Sequence, residues 1–449
     1  VRSDLLGRDV FQEADITGAC EPFVKHSYLV SKTEDLPRVF KEAFHIASTG
    51  RPGPVLIDIP VDIQENEIES FEYPESVNII GYKPNTKGHA IQVKKAVEAI
   101  NASKRPVIVS GGGVLSSGIK LKLQKFAETT GIPVISTMMG IGVMPSEHEL
   151  YLGMLGTHGK AVANRALHEA DLVIVCGARL GDRAVAAPDQ MSENTKVIHI
   201  DIDPAEIGKN VKTEIPIVGD MKNVINIGNR CFKNCKLLTH GDCKVTTMWS
   251  ETVKNWKKDL YREPPVFDGF VEPRTLVGHL SAMFRSKAIL VADVGQNQIW
   301  CANNFRIREG RFLTTGGMGT MGYSIPAAIG AKFARPDRDV IVICGDGSFQ
   351  MGLNELATIA GNQLGIKIII MKNARLGMVR ELQDKHYGGR HSATILNGDP
   401  DFLKIADAYG IDHAEAHSNK EAENIIKGIV DSEKPFILVC DVHPDTPSI

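Results

Sequence analysis

A chain of 449 residues exceeds the roughly 250–300 that one hydrophobic core usually serves, so two or three domains are predicted. With 43% hydrophobic residues, 23% charged residues and a formal charge of −3, nothing electrostatic favours nucleic acid or an anionic membrane as partner. No run approaches the ~20 apolar residues of a membrane span, and the opening VRSDLLGRDVFQEAD reads as neither a signal nor a transit peptide.

Short β-branched runs alternate with helical patterns, which predicts an α/β fold of parallel sheets flanked by helices. Residues 1–66 hold one convincing strand, VLIDI (55–59), and are expected to be the later part of a domain that begins upstream of Val1. The polar, proline-containing stretch 62–88 reads as a linker. A central domain over 89–230 follows, with strands VIVS (107–110), the run LVIVC ending at Cys176, and VIHID (197–201). Each is nearly continuous in apolar residues, as strands covered on both faces should be. Residues 236–272 carry two tryptophans and a Pro-Pro pair, and predict a connecting helix over 245–260 before a new helix start at Pro273. The third domain, 273–449, contains AILVAD (288–293), VIVIC (340–344), KIIIM (367–371) and FILVCD (436–441), and ends on DVHPDTPSI with no closing element.

Eight cysteines are present, and Cys176, Cys344 and Cys440 lie in apolar runs where a thiol behaves as a small hydrophobe. That usage predicts a reducing, cytoplasmic setting rather than a disulfide framework. Cys231, Cys235, His240 and Cys243 could offer zinc three sulfurs and a nitrogen, but their spacing fits no usual zinc pattern and a polar linker helix running into a loop is the expected reading.

The strongest chemical signal is GDGSFQMGLNELATIAGNQLGIKIIIMKN (345–373). One apolar strand ends at Gly345-Asp346-Gly347, a helix follows, and a second strand ends at Asn373. A carboxylate and a carboxamide thus stand at the carboxyl ends of two strands, where α/β folds bind ligands. Gly345 and Gly347 allow backbone N–H groups to approach a phosphate, with Ser348 opening the helix. Asp346 and Asn373 supply hard oxygens for Mg²⁺. Upstream, Asp293 is followed by Val294, Gly295, Gln296 and Asn297, a strand end whose two amides suit contact with the same phosphates. The segment GGMGTMGYSIPAAIGA (316–331), with Gly319 and Met321, is a glycine-rich turn opening a helix; Met351 and Met378 lie beside the same motifs.

The GDG–asparagine pattern resembles the diphosphate motif of thiamine-diphosphate enzymes. The resemblance implies a third metal ligand from the backbone carbonyl of Arg375, and a role for Met321 in holding the cofactor bent. FQEAD (11–15), TGRPGPVLIDIP (49–60), GTHG (156–159), GARLGDR (177–183), IHIDIDPAEIGKN (198–210) and the 316–331 motif resemble the acetohydroxyacid (acetolactate) synthase catalytic subunit along essentially the whole chain. That resemblance implies decarboxylation of pyruvate and condensation of the two-carbon unit with pyruvate or 2-ketobutyrate, in branched-chain amino-acid biosynthesis. It implies FAD in the central domain without redox use, held by Arg51, Gly111, Gly112, Gly113, Gly156, Thr157, His158, Arg179, Arg183, Asp201 and Asp220. Arg183 is also expected to grip the substrate carboxylate, and Phe11 and Gln12 to lie near the cofactor. A homodimer or tetramer with a regulatory small subunit is the implied assembly.

Departures are specific. GARLGDR carries Leu180 and Gly181 where the family usually has phenylalanine and aspartate; Asn297 replaces a common histidine and Val61 a common lysine. Leu382 stands where a tryptophan favours 2-ketobutyrate, predicting a roomier acceptor pocket. The family's early glutamate, which acts on the aminopyrimidine ring, has no counterpart here, so the chain alone is expected to turn over weakly. Pyruvate oxidase and oxalyl-CoA decarboxylase types, and a ligand-binding fragment without activity, are the alternative readings.

Overall fold

The computed structural model describes residues 1–187, 191, 195–232, 244–398 and 400–449, with backbone alone for 227–232 and 244–247. Cys235, His240, Cys243 and the Cys231 side chain, raised above as a zinc set, lie outside the described residues. Strands β1 (His26–Leu29) and β2 (Val55–Asp58) pair in parallel, His26 opposite Val55. Helix Leu36–Ser48 buries Val39, Ala43 and Ile46. Against expectation, β2 is only half-buried along its length, because a two-stranded sheet with one long and two short helices has too few layers to cover it. Phe11, Phe23, Phe44 and Ile80 stay 87%, 76%, 68% and 98% exposed.

The central sheet comprises β3 (Pro106–Ser110), β4 (Val134–Ser136), β5 (Tyr151–Met154), β6 (Leu172–Cys176), β7 (Lys196–Asp201) and β8 (Ile215–Val218). All pairs are parallel, in the order β5-β4-β3-β6-β7-β8. Alternate residues of β3 feed two cores: Ile108 packs with Ile174 and Ile198, while Val107 and Val109 pack with Val173 and Val197. Burial on both faces explains the unbroken apolar runs. The strand order reverses between β3 and β6, which opens a crevice outside their carboxyl ends. The connecting helix Lys244–Asp259 docks on this domain through Trp249, whose Nε1 donates to the Pro106 carbonyl at 3.0 Å.

The third sheet contains β9 (Ile289–Ala292), β10 (Arg311–Leu313), β11 (Val340–Gly345), β12 (Ile366–Lys372), β13 (Asp412–Ala416) and β14 (Phe436–Asp441), in the order β10-β9-β11-β12-β14-β13. It too is parallel throughout and buried on both faces, with Ile341, Ile343 and Ile369 in one core and Val342, Ile368 and Ile370 in the other. Its order reverses between β9 and β11. Helix Pro273–Met283 begins at the expected proline, capped by Glu272, whose carboxylate accepts the N–H groups of Arg274 and Thr275. The two large domains meet where Asn303 Nδ2 donates to the His158 carbonyl at 2.8 Å and Ser146 N–H to Ile307 at 2.9 Å. Among the described residues, no helix is long and apolar enough to cross a membrane.

Candidate active site

Strands β11 and β12 are neighbours with Gly345 opposite Met371, so the residues that follow each strand emerge side by side. Asp346 is 2% and Asn373 8% exposed. Asp346 Oδ2 accepts the backbone N–H groups of Asn373 at 3.0 Å and Ala374 at 2.6 Å, while Oδ1 accepts that of Gly347 at 2.8 Å. Three backbone N–H groups thus fix the position of this buried carboxylate. Ala374 reaches its donor position through a left-handed backbone, φ 53°, a conformation that costs a non-glycine residue about 1 kcal/mol or more. Asn373 Oδ1 accepts Arg375 N–H at 3.1 Å.

A carboxylate, a carboxamide and the adjoining turn form a hard-oxygen set of the kind Mg²⁺ takes. Beside it, a Cβ added to Gly347 would stand 3.1 Å from Leu376 Cδ2, 3.4 Å from Leu396 Cδ1 and 3.6 Å from Met321 Cε. Those three side chains therefore border a cradle that opens directly onto the Gly347 backbone. A divalent cation with a diphosphate fits both observations.

The second wall comes from β9. Asp293, 1% exposed, accepts N–H groups of Val294 at 2.8 Å and Gly322 at 3.1 Å on Oδ1, and of Ser324 at 2.9 Å on Oδ2. This holds the loop carrying Gly319 and Met321 against the strand end; Gly319 adopts φ 65° and faces Val294. Gly295, at φ 137°, sits where a side chain would press on Asn297 Oδ1.

The expectation that the Gln296 and Asn297 amides face phosphate needs correction. Asn297 Nδ2 is committed to the carbonyls of Asp293 at 2.7 Å and Ile343 at 3.2 Å. Gln296 Nε2 donates to Glu381 Oε1 at 2.7 Å and the Thr446 carbonyl at 2.9 Å, while its Oε1 accepts Asn373 Nδ2 at 3.0 Å. Both side chains are buried, where unpaired amides would be costly, so strand-end carbonyls and neighbouring side chains take them. Ser348 likewise bonds to the N–H and carbonyl of Gly345. Met378 is half-buried, whereas Met351 is 61% exposed, with its Cβ against Gly322.

Residues 93–227 match the model for "Thiamine pyrophosphate enzyme, central domain", and residues 293–440 that for "Thiamine pyrophosphate enzyme, C-terminal TPP binding domain". The chain is 42% identical, over 99% of its length and 76% of the relative's, to a probable acetolactate synthase large subunit of Methanococcus aeolicus. Against the acetolactate synthase large subunit of Haemophilus influenzae it is 42% identical over 91% of its length and 71% of the relative's. For that of Lactococcus lactis the identity is 40% over 97% and 74%.

The chain belongs to the acetolactate synthase large-subunit family.

It is thus a thiamine pyrophosphate-type enzyme chain, with the Asp346–Asn373 corner inside the matched TPP binding domain. The remaining residues singled out by the acetolactate synthase resemblance cluster mostly at the carboxyl ends of the central strands. Gly111–Gly113 follow β3, Gly177–Arg183 follow β6, Asp201 ends β7 and Asp220 follows β8. Chain packing explains two of the glycines: side chains at Gly111 and Gly113 would collide with the backbone at Gly177. Gly112 instead faces Met139, whose Sδ lies 2.6 Å from where a Gly316 Cβ would be, so this loop also touches the other domain. Gly156 adopts φ 106°, its position blocked to side chains by the Arg183 carbonyl, which also accepts Thr157 N–H at 3.0 Å. Burial holds the His158 pKa below the usual histidine value and raises that of Asp201 above the usual carboxylate range. Asp201 caps the turn to Asp203 N–H at 2.9 Å, and Asp220 that to Lys222 at 2.7 Å.

The other expected site residues lie at the surface of the single chain. Phe11 and Gln12 are exposed, Gln12 at φ 60°. The Arg183 side chain is 73% exposed and lies 3.6 Å from its neighbour Asp182. Arg51 joins the first unit to the central domain through Glu206 at 2.8 Å and Asp203 at 3.5 Å. Arg179 is exposed, its guanidinium toward Gly317. Two residues received no role in the sequence reading, although Asp293 was named there. Asp293 had a signal, an acid closing an apolar strand before glycine. Glu381, in a polar helix, had none.

Proposed function

We propose that this chain catalyses acetolactate synthesis: decarboxylation of pyruvate and transfer of the two-carbon unit to a second 2-keto acid, pyruvate or 2-ketobutyrate. The observation that carries it is the Asp346–Asn373 pairing at adjacent strand ends, inside a chain about 40% identical to acetolactate synthase large subunits over nearly all its length. Asp346, Asn373 and the Arg375 carbonyl would hold Mg²⁺ against the diphosphate, with the backbone of Val294, Gly295, Gly345 and Gly347 beside it. When bound, thiamine diphosphate supplies the electron sink for decarboxylation. The chain's own part is to orient and to exclude water. Met321 would offer a flexible thioether to pack against the cofactor, and Gly319, Met351 and Met378 would border the same space. Arg183, a permanent cation, suits a substrate carboxylate.

FAD is proposed for the central crevice, with Gly112, Gly156, Thr157, His158, Arg179, Asp201 and Asp220 around it and Arg51 at its edge. The reversal of strand order there supports this reading, since such crevices take dinucleotides. A homodimer or tetramer with a regulatory small subunit, in the cytoplasm, completes the proposal; the naming of the relatives as large subunits supports the partner.

The test is product analysis with the purified protein, omitting thiamine diphosphate, Mg²⁺ and FAD in turn. Acetolactate that disappears without thiamine diphosphate or Mg²⁺ is the expected result. Acetyl phosphate in its place would overturn the assignment.

A further inference from the structure

A carboxamide has an oxygen end and a nitrogen end of nearly equal shape, so its partners alone decide which end faces where. At the Asp346–Asn373 corner this matters: an Asn373 amide turned round would offer N–H groups, not oxygen, to a cation. Three side chains in series govern the choice. Glu381 can only accept when ionised. Its Oε1 takes Gln296 Nε2 at 2.7 Å. Gln296 must then present Oε1 to Asn373, whose Nδ2 donates to it at 3.0 Å. Asn373 Oδ1 is left on the side of the turn, taking Arg375 N–H at 3.1 Å.

Packing leaves the relay no slack. A side chain at Gly377 would overlap Gln296 Oε1 and stand 3.2 Å from Asn373 Nδ2. Gln296 and Asn373 are 6% and 8% exposed. The head of the relay is held by the last residues of the chain. Ser448 donates its N–H to Glu381 Oε1 at 2.7 Å and its Oγ–H to Oε2 at 2.6 Å. Thr446 gives its carbonyl to Gln296 at 2.9 Å, and Trp300 Nε1 donates to the Pro447 carbonyl at 2.9 Å. Thr446 and Ser448 are 2% and 4% exposed.

We infer that Glu381 is a positioning residue that sets the orientation of the Asn373 carboxamide through Gln296, and that residues 443–449 hold Glu381 in place. This rests on the reading of Asp346 and Asn373 as cation ligands. It predicts that the cation dependence of cofactor binding responds to a residue that touches neither cation nor cofactor.

The experiment is calorimetric titration of thiamine diphosphate into the full chain at stepped Mg²⁺ concentrations, without turnover. Glu381→Gln keeps the size but can donate or accept, so Gln296 loses one of its two acceptor-only partners and is directed by the Thr446 carbonyl alone. The Mg²⁺ concentration for half-maximal binding should rise on the order of ten-fold, the worth of one hydrogen bond to a charged group, with full affinity recovered at saturating Mg²⁺. Deletion of residues 443–449 should shift it the same way, and Glu381→Asp, which can only accept, should shift it less than Glu381→Gln. An unchanged Mg²⁺ dependence in Glu381→Gln overturns the inference, as does a loss of affinity that saturating Mg²⁺ does not restore. Asp346→Asn separates the two levels: it should lose Mg²⁺-dependent binding, and its retention, or the absence of such binding in the wild type, refutes the ligand assignment itself.

Discussion

Asp293 Oδ2 accepts the backbone N–H of Ser324 at 2.9 Å, bridging 31 positions of sequence and holding the start of helix Ser324–Ala334 at the end of β9. The carboxylate takes three N–H groups in all and is 1% exposed. In Asp293→Asn, an NH₂ group must face an N–H donor. A loss of about 1–3 kcal/mol in unfolding free energy is expected, together with weaker thiamine diphosphate binding, because the loop bearing Met321 is released. Denaturant midpoints and binding calorimetry on the same preparation read both effects.

Two glycines separate packing from ligand space. At Gly111 a methyl group would overlap the Gly177 carbonyl and lie 2.6 Å from Ala178 Cβ. Backbone must move, so Gly111→Ala should cost roughly 1–3 kcal/mol or more in thermal or denaturant unfolding. At Gly347 the methyl meets only side-chain ends, the nearest 3.1 Å away. Gly347→Ala should therefore unfold within ~0.5 kcal/mol of wild type while its affinity for thiamine diphosphate falls.

Lys367 on β12 is 4% exposed and donates its ammonium to the carbonyls of Ser432, at 2.8 Å, and Lys434. Burial pulls its pKa down from 10.5 to about 8. The unfolded chain then binds more protons than the folded one between those values, so this residue's contribution to stability rises with pH across that window and is least favourable below about 8. Subtracting the pH profile of Lys367→Met unfolding from that of wild type should reveal this rise. A flat difference would reject it.

Cys176, Cys301, Cys344 and Cys440 are buried, and burial raises all four thiol pKa values, that of Cys176 to about 12. Because the thiolate is the reactive form, these four cysteines should resist iodoacetamide in the native protein, while half-buried Cys20 is labelled before them. Peptide mapping by mass spectrometry, with and without denaturant, checks the order.

Leu382 is 38% exposed on helix Gly377–Tyr387. If it borders the acceptor pocket, Leu382→Trp should shift preference toward 2-ketobutyrate by about 5–150-fold, corresponding to 1–3 kcal/mol of apolar fit. Competition between the two acceptors at fixed ratio measures it.

Much of the architecture is decided locally, and so was open to reading along the chain. The runs at 340–344 and 368–371 are apolar without interruption because helices cover both faces of β11 and β12, and the GDG turn and Asn373 follow directly from where those strands stop. Strands such as RFL (β10) and DHAEA (β13) gave no such signal; they lie at sheet edges, where fewer apolar residues are required. What local pattern could not determine was how polar groups pair across distance. Gln296 reads as a phosphate contact from its place after a strand, yet its partners stand 77, 85 and 150 positions away. Gly111 reads as ligand space, yet it meets the backbone of Gly177. A buried amide or a close approach is settled by whichever group the fold brings within 3 Å or so, and that is a property of the closed sheet and the returning tail, not of any segment alone.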